Sequence, residues 1–290
     1  MNGILLVDKP EGWTSMDVCA KLRGVFHEKR IGHSGTLDPM ATGLLVVFLG
    51  RATRAVEFAE AHSKEYIARL RLGISTDTQD ISGNVLSEKP CDVSTEVLLE
   101  VLERFKGNIE QIPPMYSAIK IGGKKLYEIA RKGGEVERKP RPVTIHSLDF
   151  LGWEEGEALL RVRCSKGTYI RTLCHDIGEA LGCGACMSYL RRTAAGEFSI
   201  AQAKPLQDII AAADNGSGEE LLLPVDRLFE EYPAVKLSAK REKLFRNGVR
   251  FSTSEKEGSC RLYSEKGEFL ALAKAENGQM ITIKTFFEVN

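Results

Sequence analysis

The stretch "GHSGTLDPMATGLL" (residues 32–45) and the run "LLVVFLG" (44–50) that overlaps its end decide how the chain is read. Three glycines, two threonines, a serine and a proline surround one carboxylate, Asp38, and the loop then passes into an apolar strand. A phosphate-binding loop needs Gly-Lys-Ser/Thr followed by a helix, and neither is present. Two local readings of Asp38 remain. Asp before Pro is turn or helix-capping chemistry, and a lone carboxylate in a polar loop is also a candidate reacting group.

Outward from this loop, short strands mix with amphipathic helices. "GILLV" (3–7) reads as a strand, and Thr14 or Ser15 caps a helix over "MDVCAKLRGVF". "KEYIARLRLG" (64–73) alternates with period two, as a half-exposed strand does. "STEVLLEVLERF" (94–105) is a helix with apolar residues at 97, 98, 101, 102 and 105. "LLRVRCSKG" is a strand, and the helical "TYIRTLCHDIGEALG" after it stops at Gly182. Helices neither alternate strictly with strands nor segregate from them. The fold class is therefore α+β, with a mixed, mostly antiparallel central sheet and flanking helices.

Two segments stand apart. Residues 113–142, bounded by prolines and holding two Gly-Gly pairs, read as a protruding basic insertion that is mobile in the free protein. Residues 212–220, "AADNGSGEE", have linker composition. Beyond Tyr232 the pattern is of short strands with turns at 265–267 and 277–278. The expected domains are thus 1–231 and a small all-β module, 232–290, able to fold independently.

The 290 residues are 43% hydrophobic and 28% charged, with a formal net charge of zero, as is ordinary for a globular protein. The charge is segregated, however. Residues 113–145 carry eight Lys/Arg against three Glu, residues 161–192 six against two acids, and residues 212–231 one Arg against six acids. Basic patches on a neutral chain fit a polyanion that touches one face. The N-terminus has no basic n-region, and no apolar run approaches the roughly 20 residues of a membrane helix. Seven scattered cysteines suit a reducing compartment. The cytoplasm, no membrane association and a monomeric state are the expectations.

The close pair Cys183/Cys186, near Cys174 and His175, lacks the second pair of a zinc site. No HExxH or GxSxG pattern occurs. What singles out Asp38 is its company: "LLVDKPEGWTS" (5–15), "KEYIARLRLG", "TDTQD" (76–80), "CSKGTYIRTLCHDIGEALG" (164–182) and "YLRRTAAGEF" (189–198). Together these motifs resemble the bacterial tRNA pseudouridine-55 synthases, from residue 3 to about 200. The C-terminal module resembles a PUA domain more weakly. One departure is Cys186, where the family usually has His.

The resemblance implies a pseudouridine synthase fold and a tRNA partner bound through its T-arm, with no cofactor and no metal. It makes Asp38 the catalytic residue and Arg171 its partner, for which a forked, bidentate contact is expected. It makes Tyr66 the platform for a flipped uridine, with Tyr169 and Leu190 lining the pocket and Lys9 with Pro10 beneath it. His33 would fill the space left in the T-loop, and Asp80 would touch RNA or order its own loop. Two rival functions remain, an RNA-binding or tRNA-folding protein in which catalysis is secondary, and an Asp-dependent N-ribohydrolase.

Overall fold

The computed structural model describes residues 1–287. The last three positions of the expected 232–290 module lie outside the described residues. In chain order, the first strands are β1 (Gly3–Lys9), β2 (Ile31–Ser34), β3 (Thr42–Leu49) and β4 (Lys64–Leu72), with helices α1 (Ser15–Val25) and α2 (Val56–Glu60) among them. A hairpin of β5 (Ile74–Thr76) and β6 (Val85–Glu88) precedes α3 (Thr95–Glu103) and β7 (Gly107–Gln111). The insertion holds β8 (Lys120–Ile121), β9 (Lys124–Lys125) and the single-turn α4 (Leu126–Ala130). Next come β10 (Arg141–Glu154), β11 (Glu157–Cys164), α5 (Ile170–Leu181), β12 (Ala185–Ala195), β13 (Phe198–Ser199), β14 (Lys204–Pro205) and α6 (Leu206–Asp214).

Ten of these strands form one sheet in the order β14-β1-β3-β12-β4-β11-β10-β7, with β2 added to β3 and β13 to β12. Only β1/β14 and β3/β12 pair in parallel, so the sheet is mixed and mostly antiparallel. The apolar runs of β1 and β3 are buried on both faces. Ile4, Leu6, Val46 and Phe48 enter one core, while Leu5, Val7, Leu45 and Val47 meet α1 and α6 in another. The other half of the sheet buries one face. Tyr66, Ala68 and Leu70 of β4 and Leu160 and Val162 of β11 pack against Leu98, Leu173 and Ile177 of α3 and α5. Each fully buried aliphatic side chain there contributes about 1.5–3 kcal/mol.

Local chemistry marks the ends of elements. Thr14 caps α1 by accepting the Asp17 N–H at 3.0 Å, and Asp17 returns the bond to the Thr14 N–H, a reciprocal capping box. Ser94 caps α3, and Gly182 closes α5 in the left-handed conformation. The sheet's seam is the ladder between β3 and β12, only two pairs long: Arg191 opposite Thr42, and Arg192 opposite Gly43. Gly43 has φ +99°, and a Cβ there would lie 2.3 Å from the Arg192 carbonyl oxygen. Only glycine lets the strands approach so closely.

One expectation about the C-terminal third needs correction. Residues 212–220 are not a linker. Their first residues end α6, the Ser217 N–H bonds back to the Ala212 carbonyl at 2.9 Å, and Gly218 is buried against Phe26. The polar Gly/Ser composition is that of a helix C-terminus rather than of free chain. The C-terminal module is the separate β domain expected, with one helix added to it. Its strands β15 (Ala234–Lys236), β16 (Phe251–Ser252), β17 (Gly258–Tyr263), β18 (Phe269–Glu276) and β19 (Gln279–Thr285) form a separate sheet, but α7 (Ala239–Arg246) lies among them. Phe245 of α7 is buried in that module's core.

The module shares a second core with the main body. Leu272, Phe269 and Phe286 pack with Val225, Phe229 and Phe58, and the Phe58 and Phe229 rings meet edge-on at 5.3 Å. A module expected to fold on its own thus lends apolar surface to its neighbour.

Candidate active site

The 35–41 loop sits at the short seam, between β2 and β3, and nearly every polar contact that holds it ends on main chain. Ser15 accepts the Leu37 N–H at 2.9 Å and donates to the Leu37 carbonyl at 3.2 Å. The Lys9 ammonium donates to the carbonyls of Pro10 (2.8 Å), Trp13 (2.6 Å) and Pro39 (3.3 Å). The Ala41 N–H bonds to the Asp38 carbonyl at 3.0 Å, so Asp-Pro makes a turn and caps no helix. The turn reading and the reactive reading of Asp38 are therefore compatible.

Within that frame the Asp38 side chain stays 33% exposed, while the guanidinium beside it is 7% exposed. Arg171, in the first turn of α5, brings Nη2 to 3.6 Å from Asp38 Oδ2 and Nη1 to 3.5 Å from Asp80 Oδ2. Its shortest contact is to the Tyr116 carbonyl, 2.6 Å from Nη2. The expected forked pair between Arg171 and Asp38 is not formed, because one guanidinium serves two carboxylates and a carbonyl. Burial raises the Asp38 carboxyl above its ordinary value; Arg171 and Lys9 act against that, and Asp80 with it. Burial likewise pulls Lys9 down to about 8, with Asp38 the main opposing influence.

Asp80 is buried and fixed from all sides. Its Oδ1 accepts from Thr78 Oγ1 (2.9 Å), from the Ser82 N–H (3.0 Å) and from the Ser82 hydroxyl. Of the two roles left open for it, ordering its loop and steadying Arg171 is the one its contacts display. Tyr66 lies in β4 directly opposite Arg192; its ring is nearly buried, and burial raises its phenol above the ordinary value. Leu190 shares the same core. Tyr169 stands at the start of α5, its ring centre 6.0 Å from the Arg171 guanidinium carbon. His33, in β2, is half-buried, and burial with nearby Arg192 lowers it to about 4, so it is neutral at pH 7. Asp38, Arg171, Asp80 and Lys9 are thus brought together by direct contact or charge, Tyr66 and His33 through Arg192, and Tyr169 through Arg171. Cys186 is fully buried in β12 with a thiol raised by burial to about 11, an inert packing residue. Among the described residues no group of three or more His, Cys, Asp or Glu is arranged to hold a metal ion.

Comparison with known proteins gives the family. The model of the TruB family pseudouridylate synthases (N-terminal domain) matches residues 23–170, and that of the tRNA pseudouridylate synthase B C-terminal domain matches 171–230. The chain belongs to the TruB family of pseudouridylate synthases. It is therefore an isomerase. Its relatives include proteins named tRNA pseudouridine synthase B from an Azoarcus species, 45% identical over 97% of this chain and 93% of that one. The counterpart from Clostridium kluyveri is 40% identical over 99% and 100%, and that of Escherichia coli K12 is 40% identical over 96% and 92%. Among solved structures, a chain of a Cbf5-Nop10-Gar1 complex superposes with a TM-score of 0.75 at 28% identity, covering 99% of this chain and 85% of that chain. A chain of an H/ACA RNP bound to a substrate RNA containing 2'-deoxyuridine gives 0.74 at 26%, covering 99% and 86%.

The motifs did not single out the cation that organises this TruB-family site from within. Arg192 is the largest fully buried side chain among the described residues, 1% exposed. Its Nε donates to the Leu44 carbonyl at 2.7 Å and Nη2 to the Gly35 carbonyl at 3.0 Å, tying both ends of the loop to β12. The signal was there in "YLRR". With period two, Arg192 falls on the same face as buried Leu190, which a surface arginine would not.

Proposed function

We propose that this enzyme converts uridine 55 in the T-loop of tRNA to pseudouridine, with Asp38 as the catalytic carboxylate. The observation that carries this reading is the half-exposed Asp38 held beside buried Arg171 and Asp80 on a loop fixed by Lys9, Ser15 and Arg192. The names of the relatives point to tRNA as substrate. The isomerisation breaks the N1–C1′ bond, rotates the uracil and rejoins it through C5, with a proton moved from C5 to the ring nitrogen side. No atoms are gained or lost. A carboxylate raised by burial is well suited to nucleophilic attack at C1′ or at C6, or to removal of a ribose proton.

The uridine must leave its stack to reach Asp38. In this reading Tyr66 is the platform for the flipped base, Tyr169 and Leu190 wall the pocket, and Lys9 supports the floor through three carbonyls. Arg171 steadies the carboxylate and Asp80 steadies Arg171. Neutral His33 takes the place of the extruded base against its former neighbours. The catalytic unit is residues 1–231, and the basic segment 113–142 and a PUA-like module, 232–290, hold the RNA without taking part in the chemistry. The enzyme acts as a cytoplasmic monomer.

The test is incubation with an unmodified tRNA transcript, followed by mapping of pseudouridine at single-nucleotide resolution. Modification at position 55 alone is expected. Binding without product would favour an RNA-folding protein, and release of free uracil an N-ribohydrolase.

A further inference from the structure

Gln111 is a buried side-chain amide, 2% exposed, at the end of edge strand β7. Its Oε1 accepts the Tyr169 N–H at 3.1 Å, and its Nε2 donates to the Tyr169 carbonyl at 3.3 Å. One planar carboxamide thus grips both backbone groups of a single residue, as a neighbouring strand would. The gripped residue is the N-cap of α5, with φ −99° and ψ 108° and no capping bond from its own side chain. The Tyr169 carbonyl also accepts the Leu173 N–H at 3.0 Å, so the clasp acts on the first turn of the helix that carries Arg171.

We propose that Gln111 is a positioning residue for the isomerisation, fixing the main chain at Tyr169 and, through the first turn of α5, the aim of Arg171 at Asp38. The inference rests on the pseudouridine-forming reading above. Its physical basis is that Arg171 meets Asp38 at 3.6 Å, an ion pair with no hydrogen bond to correct a small displacement. A forked pair would hold its own alignment; a single contact depends on where the helix puts it. The chemistry demands an acceptor and a donor side by side, which a side-chain amide supplies whatever the pH. Oε1 must accept and Nε2 must donate to groups of one residue, and asparagine is shorter by a methylene.

The experiment follows one round of pseudouridine formation, with enzyme in excess over an unmodified tRNA transcript, alongside tRNA Kd and thermal unfolding. Gln111→Leu removes both hydrogen bonds at similar volume. It is expected to slow the single-turnover rate about 10–100-fold, the scale on which small misplacements act, while Kd stays within about threefold. Gln111→Glu keeps the acceptor, loses the donor while ionised and regains it when protonated. Its rate relative to wild type at the same pH should therefore climb as pH is lowered from about 8 to about 5.5. A merely structural role would lower the unfolding temperature and leave that ratio flat. A Gln111→Leu rate within about twofold of wild type, or a loss lying wholly in Kd, overturns the proposal while leaving the function intact. If Gln111→Leu does not fold, the pH ratio of Gln111→Glu decides, and a flat ratio overturns it. A wild-type enzyme that makes no pseudouridine overturns both the function and this role.

Discussion

The 35–41 loop and the 113–142 insertion look alike on paper, both containing glycine, proline and polar residues, yet the protein holds them in opposite ways. The first is pinned from within. Arg192, Lys9 and Ser15 take its carbonyls at Gly35, Pro39 and Leu37, and Leu37 and Ala41 are buried. The second is held at its root and at fully buried Leu126. Tyr116 meets Arg171 and Arg138 meets the Pro113 carbonyl, whereas Lys120 through Lys124 and Arg131 through Glu135 are exposed. What makes a loop part of the framework is buried donors aimed at its main chain, since each unpaired buried carbonyl is costly. Composition does not record that.

The largest test of the contrast is Asp38→Asn. It should lower pseudouridine formation by at least about 10³-fold and leave tRNA affinity within about tenfold, because phosphate contacts dominate binding. Single-turnover assays with filter binding measure both, and near-wild-type turnover would remove Asp38 from the chemistry. Arg171→Lys should follow with about a 10²-fold loss, since one ammonium cannot reach Asp38, Asp80 and the Tyr116 carbonyl together. Activity close to wild type would make Arg171 a structural charge only.

Arg192→Met goes to the difference itself, because it would turn the framework loop into an ordinary one. Losing charged hydrogen bonds to two buried carbonyls should cost about 2–4 kcal/mol in urea unfolding. Limited proteolysis, which in the wild type should cut only near residues 120–135, should then also cut near 35–41. Unchanged stability and cutting would mean that the loop is held by something other than this cation. The smallest effect is expected from Lys124→Ala with Lys125→Ala. These changes should weaken tRNA binding only a few-fold and make the dependence of log K on log salt shallower, by about one for each phosphate left without its cation. A changed maximal rate at saturating tRNA would show that the insertion reaches into the chemistry.

The unequal legibility of the molecule has the same physical origin. A period-two pattern marked β4, and Thr14 and Gly182 marked helix ends, because burial and capping act on neighbours in sequence. Asp38 stood out through its motif. Arg192 and Gln111 did not, since their partners lie 148 and 58 residues away and a charged or polar side chain is read as surface by default. An isolated Arg–Asp pair would fork, but Tyr116 and Asp80 compete with Asp38 for the Arg171 guanidinium. Residues 212–220 misled because glycine and serine close a helix as readily as they loosen a chain, and the Ser217 bond to Ala212 and Phe26 against Gly218 tell the two apart.

The phenylalanine junction between the main body and the C-terminal sheet has a consequence in the language of measurement. Phe58, Phe229, Phe269 and Phe286 interlock at ring separations of 5.2–6.1 Å, and close-packed interiors do not deform by degrees. Two surfaces joined in this way keep one distance between them, as the jaws of a fixed gauge do. In the function proposed above, an RNA gripped on the far strands would offer Asp38 the nucleotide that lies one gauge-length away along its fold. Under that proposal the target would be set by a span counted out rather than by a base read.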